Sequence, residues 1–385
     1  MGIWWGSSQT GYQLAGEEKL HLTYPTTSPS GIADNEWLSG QLNHLTREQE
    51  SKFLEFKHLC EEEGYFVPRR DGKEADYDNA MLLRFLRAKK FQVKNALSQF
   101  RVAQTWQRDH AIKTFYSEMD VDCYEDSRRM FAQWTGRRDH QGRPIYVFPL
   151  RHLTKEKMEA YISKMSSSTA PTEETPSIPT KIPGHLLAFH ALYENLLDFV
   201  MPLCSQLPRP HMEIPVSAST HIIDVTGLTL RHFLEIKRYL QGGSLLATTH
   251  YPETLSRIFI IGAPPVLRTA WGFIKQWVDP ETFSKIFILS PAEVPRTLLE
   301  YMPASSLPQQ YGGTLKWEWG DMPDLDESAR KLAPGLYQRV GDGCAEYVKG
   351  PVIWSGDSIQ VLGTIAGKKR EIIIPLHTTE ESTSV

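Results

Sequence analysis

Cysteine is scarce in this chain. The four residues Cys60, Cys123, Cys204 and Cys344 lie far apart and share no metal-ligand spacing. That argues against a disulfide framework and fits reduced thiols in a cytosolic compartment. Long apolar runs are also missing: no stretch approaches the ~18 residues that a membrane-spanning helix needs. The opening residues M-G-I-W-W-G-S-S-Q-T carry no basic n-region and no sustained apolar core, so no signal peptide is expected. Gly2 would suit myristoylation, but the motif wants Ser or Thr at the sixth position, where the chain has Gly6. There is no excess of basic charge. A net charge of −4 argues against a general nucleic-acid binder.

Catalytic signatures are absent as well. The chain has no G-x-S-x-G nucleophile elbow, no phosphate-binding G-x-x-x-x-G-K-[ST], no G-x-G-x-x-G after a strand and no H-E-x-x-H. This favours a binding protein over an enzyme. A lipid hydrolase on an unfamiliar scaffold stays open as an alternative, as does a regulatory scaffold that binds a protein.

What is present is an α/β pattern with appendages. Residues 1–40 are rich in Gly, Ser, Thr and Pro and read as a flexible tail. Thr46 opens T-R-E-Q, a capping box, before an amphipathic helix that Gly64 ends. Asp78 can cap a second helix carrying Met81, Leu82, Phe85 and Leu86. A third carries Ala96, Phe100, Ala103 and Trp106 on one stripe. Residues 41–115 therefore form a helical lobe. The main domain is expected over 116–316, with a strand at 144–149, a helix at 151–165 and a disordered, proline-rich loop at 166–184. A helix over 185–200 and a bend over 202–215 come next. Beyond the main domain lie an acidic linker and a small β unit, 317–376, and a tail, 377–385.

The most informative run spans residues 221–289. Apolar strands at 221–225, 257–262 and 286–289 alternate with helical segments, a βαβαβ rhythm with strands buried on both faces. The second connection, 265–278, is apolar nearly all round, with Leu267, Trp271, Phe273, Ile274 and Trp277. Such a helix needs a buried setting or a partner that comes and goes. A movable lid over a lipid cavity, hinged at 262–264 and 279–280, would be such a partner.

These motifs resemble the CRAL-TRIO lipid-binding family, in its fungal phosphatidylinositol-transfer branch. I-I-D-V-T-G, H-Y-P-E, I-I-G-A-P, D-P-E-T-F-S-K-I-F-I-L and L-P-Q-Q-Y-G-G carry the likeness, with M-L-L-R-F-L-R-A-K-K-F and D-H-Q-G-R-P-I-Y upstream. The resemblance implies a mainly parallel sheet flooring an apolar lipid cavity. It also implies a monomeric, peripheral protein of the cytoplasm that extracts phosphatidylinositol from membranes and exchanges it or presents it to lipid-modifying enzymes. No cofactor or metal is implied beyond the bound phospholipid.

By the same resemblance, Glu253, Thr282 and Lys285 contact the inositol-phosphate headgroup. Lysine suits phosphate as a point charge, and Glu and Thr can bond inositol hydroxyls. Lys89 stands where the family pattern has Arg, keeping the charge and losing the bidentate fork. On residue types alone, Glu253 and Lys285 could equally be a surface ion pair. For a second lipid, phosphatidylcholine in the family, Tyr146, Tyr193 and Ser219 match. His221 replaces a hydroxyl residue, and Thr135 falls where a tyrosine is expected. His221 reads as a satisfied core histidine, or else as a sign of a different second ligand, a sterol or a haem. The basic runs 87–90 and 137–143 are either solvated faces or contacts for anionic lipid.

Overall fold

The computed structural model describes residues 36–68, 77–168, 183–263, 284–339 and 345–377. Chain contacts separate Met1–Leu38 from Ser39–Val385. Of the first unit only a single 3-10 turn, Glu36–Leu38, is described. The second unit holds the helical lobe, the main sheet and the C-terminal strands.

The helical lobe forms as the local signals dictate. Helix α1, Arg47–Glu62, begins with a full capping box: Gln49 N–H donates to Thr46 Oγ1 and the Gln49 side chain accepts from Thr46 N–H. Helix α2, Asn79–Ala88, is capped by Asp78, and α3 spans Val93–Asp109. The three close on Phe100, which meets Phe56, Phe85 and Tyr77 edge-on at 5.0–5.8 Å. Edge-to-face aromatic packing gives this small lobe a core of its own.

Helices α4, Ile112–Glu118, and α5, Val121–Met130, lead into a five-stranded sheet. Its strands are β1 Gln133–Arg138, β2 Pro144–Pro149, β3 Ser219–Asp224, β4 Leu255–Ile261 and β5 Ile286–Leu289, lying side by side in chain order. From β2 to β5 every pairing is parallel, and β1 is an antiparallel edge. The sequence pattern does not show β1. Q-W-T-G-R-R lacks an apolar run, and polar partners satisfy it instead. Asp324 N–H donates to the Thr135 carbonyl, and Gly320 N–H to Gln133 Oε1. A Cβ on Gly136, at φ 85°, would fall 2.4 Å from Asp324 N, so glycine lets the acidic segment lie directly on the strand.

Helix α6, Lys155–Ser168, runs three residues into the expected loop, and α7, Gly184–Asn195, takes its last one. Residues 169–182 lie outside the described part. Beyond α7 the helix does not stop at residue 200. It passes through a π turn, Leu196–Val200, into α8, Met201–Gln206. Pro202 lacks an N–H, and sits near the α8 N-terminus just past the widened turn, where a standard helical bond would otherwise be lost. Helix α9, Leu230–His250, connects β3 to β4.

Register assigns the two sheet faces different work. Val147, Ile222, Phe259 and Phe287 align across four strands. This face is sealed by residues 294–317, with Leu298, Met302 and Leu307 at zero exposure. The alternate row, Tyr146, His221, Ile258 and Ile286, turns toward α7 and α9.

The C-terminal β unit is not set apart. Strands Val352–Ser355, Ser358–Val361 and Ile372–Pro375 pack in one apolar cluster with Trp134, Phe199 and Leu203. The acidic stretch is pinned by Arg137–Asp324 and Arg138–Asp326 ion pairs, and Arg143 is buried, so most of that basic run is consumed internally. Cys60, Cys123 and Cys204 are buried. Burial pushes Cys60 and Cys204 up to about 12, keeping them as inert thiols. Among the described residues, no helix is long and apolar enough to cross a membrane.

Phe259 has zero exposure and packs against Phe287 and Tyr301 at 5.3 and 5.2 Å. Phe259→Ala should lower unfolding stability by ~3–5 kcal/mol in a urea titration. A loss under about 1 kcal/mol would mean the sealed face is not a tight core.

Candidate functional site

The turn from α9 into β4 is the pivot of the site. H-Y-P-E ends the helix: Tyr251 caps it, and Glu253 takes a left-handed backbone, φ 59°, rare for a residue with a side chain. The turn aims the Glu253 carboxylate, 8% exposed, between two cations. Arg87 Nη2 from α2 lies 3.1 Å away, and Lys285 Nζ, just before β5, lies 3.2 Å away. Arg87 Nη1 also donates to Gln41 Oε1 at 2.9 Å. Two cations on one carboxylate leave a positive surplus, and the carboxylate holds both in place.

Lys89 joins them by another route. It is the C-terminal cap of α2, and Lys90 and Phe91 then take positive φ, 50° and 60°, to reverse the chain into α3. Lys89, Glu253 and Lys285 thus line one cleft of about 640 Å³ between the lobe and the end of α9. The structure brings these three residues together in one cleft. The direct partner of Glu253 on the lobe, however, is Arg87, two residues earlier in F-L-R-A-K-K. Its signal is the basic run itself, since arginine offers the fork that Lys89 lacks. Thr282 lies outside the described residues, and so do the gate-helix positions Leu267, Trp271, Phe273, Ile274 and Trp277.

A second space adjoins the cleft. An apolar cavity of about 280 Å³ lies between the sheet and helices α7 and α9. Phe148, Ile223 and Ile258 floor it, and Phe189, Leu192 and Leu240 wall it. Gly243, inside α9, faces the Phe189 ring, which a Cβ there would touch at 3.4 Å. Ala247, Thr248, Thr254 and Leu255 line both spaces, so the cleft and the cavity share a wall.

The residues expected at a second ligand also converge. Tyr146, Tyr193 and His221 line the cavity. The His221 ring stacks on Tyr146, with centroids 5.1 Å apart. Ser219 Oγ donates to the Thr254 carbonyl at 2.9 Å, so the His221 Nε2, also 2.9 Å away, must donate to it. Burial lowers the His221 pKa to about 4, which keeps the ring neutral. Its Nε2 is hydrogen-bonded, and the ring faces the cavity. Thr135 does not line it. Its hydroxyl donates to the Ile145 carbonyl.

One buried network has no signal in the sequence, because its members sit on separate elements. Trp106 Nε1 donates to His190 Nε2 at 2.9 Å, so the His190 proton sits on Nδ1 and points to the Tyr251 hydroxyl at 2.7 Å. Tyr251 then donates to Glu194 Oε1 at 2.9 Å. Tyr251 stacks on Tyr193 at 4.3 Å, so this chain of bonds braces the partition between cleft and cavity. Burial, then the nearby Asp198, raises the Glu194 pKa above the carboxylate range. Burial, then His250 and His110, lowers His190 to about 3.

Known proteins share this arrangement of segments. The profile of the CRAL/TRIO domain matches residues 128–313, and that of the CRAL/TRIO N-terminal domain matches 52–101. Together they span more than half of the chain. The SEC14 cytosolic factor of Kluyveromyces lactis is 27% identical over 300 residues, covering 78% of this chain and 88% of that protein. The Schizosaccharomyces pombe Sec14 cytosolic factor is 25% identical over 303 residues, covering 79% and 93%. The phosphatidylinositol/phosphatidylcholine transfer protein SFH7 of Arabidopsis thaliana is 30% identical over 237 residues, covering 61% of this chain and 39% of that protein.

The raised Glu194 pKa has a sign that can be measured. Below the ordinary carboxyl value of 4.5 both folded and unfolded chains hold the proton. As pH rises, the unfolded chain releases it first, so stability falls until the folded pKa is passed. Glu194→Gln keeps an acceptor for Tyr251 and removes this titration. Urea unfolding from about pH 5 to about pH 9 should show a shallower decline in the variant. Equal slopes would mean that Glu194 is ionised in the folded protein.

Proposed function

The chain belongs to the CRAL/TRIO domain family, and on that premise we propose that it binds and transfers phospholipid, with phosphatidylinositol as the primary cargo. One observation carries the reading: a cationic cleft and an apolar cavity share a wall. A phospholipid has the same two-part chemistry, an anionic headgroup and acyl chains. The phosphate is met by Lys285 and Lys89, which line the cleft, with Glu253 accepting from inositol hydroxyls and Arg87 holding the Glu253 carboxylate from the lobe. Thr282 is included in this site by motif alone. The names of the relatives support the choice of lipid, since SFH7 is called a phosphatidylinositol/phosphatidylcholine transfer protein.

The energetics require the cavity. About 32 methylenes at ~0.8 kcal/mol each would make a bare lipid in water cost ~25 kcal/mol. A cavity of about 280 Å³ is at the small end of ligand pockets, roughly 300 Å³ and up, so a two-chain lipid widens it on entry. No bond is made or broken in this cycle. The protein works from the cytoplasm as a monomer and touches membranes transiently. For the second lipid, Tyr146 and His221 already stack on each other and Ser219 is already bonded. Selection there rests on shape more than on a charged headgroup.

The test is transfer of labelled phosphatidylinositol between vesicles. Lys285→Ala and Arg87→Ala should each cut it by about tenfold or more, the worth of one charge-assisted hydrogen bond. Each variant leaves Glu253 one cation, so both should still fold, as a cooperative thermal transition with a lowered midpoint would show. Undiminished transfer by both folded variants would refute the headgroup site.

A further inference from the structure

Two segments far apart in sequence meet away from both the cleft and the cavity. One leads into α1 and the other is the bend between α8 and β3. His44 Nε2 lies 3.2 Å from Glu213 Oε1, and His211 Nδ1 lies 3.1 Å from the same oxygen. All three ligand-type atoms fall within 4.8 Å of one another. The two imidazole rings meet edge-on, with centroids 6.2 Å apart. Asn43 Nδ2 donates to the Glu213 carbonyl at 2.6 Å and fixes the two segments together. Asn43 and His211 both take left-handed backbones, φ 67° and 53°. The local chain thus accepts an uncommon conformation at the two places that present this cluster.

We infer that His44, His211 and Glu213 form a binding site for a zinc-class divalent cation, which pins the entry to the helical lobe against the main domain. Two imidazoles and one carboxylate suit zinc. Magnesium and calcium want oxygen ligands throughout, and a thiolate-preferring ion finds no sulfur among these three. The spacing agrees. Zinc with bonds of about 2.0–2.1 Å has tetrahedral edges of about 3.3–3.4 Å. Two of the three edges are already within a few tenths of an ångström of that, and the third is no longer than 4.8 Å. The side chains are 31%, 36% and 47% exposed, so the ion can enter from solvent and keep water at its fourth position. In sequence His44 and Glu213 are 169 residues apart, so the ion would close a long loop around the lobe and the first half of the sheet. The inference is independent of the lipid reading, since none of the three residues lines either space.

The test uses the full chain, free of any histidine tag, stripped with chelator and titrated with zinc chloride by calorimetry. Saturable 1:1 binding is expected, with a rise of a few degrees in the thermal midpoint at about a hundred times Kd. His44→Gln and His211→Ala should each weaken binding at least tenfold and remove the thermal shift. His44→Gln can still hydrogen-bond Glu213, so it separates ligation from simple bonding. Cobalt(II) should give the visible bands of a nitrogen and oxygen site without thiolate charge transfer. No saturable binding, or unchanged affinity in the His44→Gln, His211→Ala double variant, would overturn the assignment.

Discussion

Glu253 is the residue on which the arrangement turns. Its carboxylate is bonded to Arg87 of the helical lobe and to Lys285 beside β5, so one anion joins two parts of the molecule. It also sets the charge of the cleft. Without it, the guanidinium and the ammonium would repel each other at close range. With it, they are held as a preorganised cationic pair. The cost of its left-handed backbone is accepted at this one turn, which is where strain of that kind tends to be functional.

The sheet explains why a polar cleft and an apolar cavity can adjoin. Parallel strands in register send alternate side chains to opposite faces. One face is filled by Phe259 and its neighbours and closed by residues 294–317. The other carries Tyr146, His221, Ile258 and Ile286 to a space that α7 and α9 leave partly open. Tyr251 and Tyr193, stacked, stand at the join, and the His190–Tyr251–Glu194 bonds stiffen it from behind.

Much of this is legible in the sequence, for physical reasons. Caps are local, so Thr46 and Asp78 announce their helices. Buried parallel strands read as Ile and Phe runs, so β3, β4 and β5 stand out to within two residues. Glu253, Lys285 and Lys89 are marked by their motifs. What is not legible depends on contacts across distance. Strand β1 hides because polar partners from residues 320–324 replace an apolar pattern. The helix through Gln206 hides because Pro202 marks a stop that the π turn circumvents. Arg87 reads as charge and not as the partner of Glu253, since a pairing 166 residues apart has no signature in either segment.

The central claim is that the cleft and cavity together hold one anionic phospholipid. Native mass spectrometry of the full chain, purified without detergent and followed by lipid extraction, tests it most directly. A 1:1 complex whose released lipid is mainly phosphatidylinositol is expected, with that mass lost in a Glu253→Ala, Lys285→Ala double variant. A wild-type chain that carries no lipid, even after incubation with phosphatidylinositol vesicles, would contradict it.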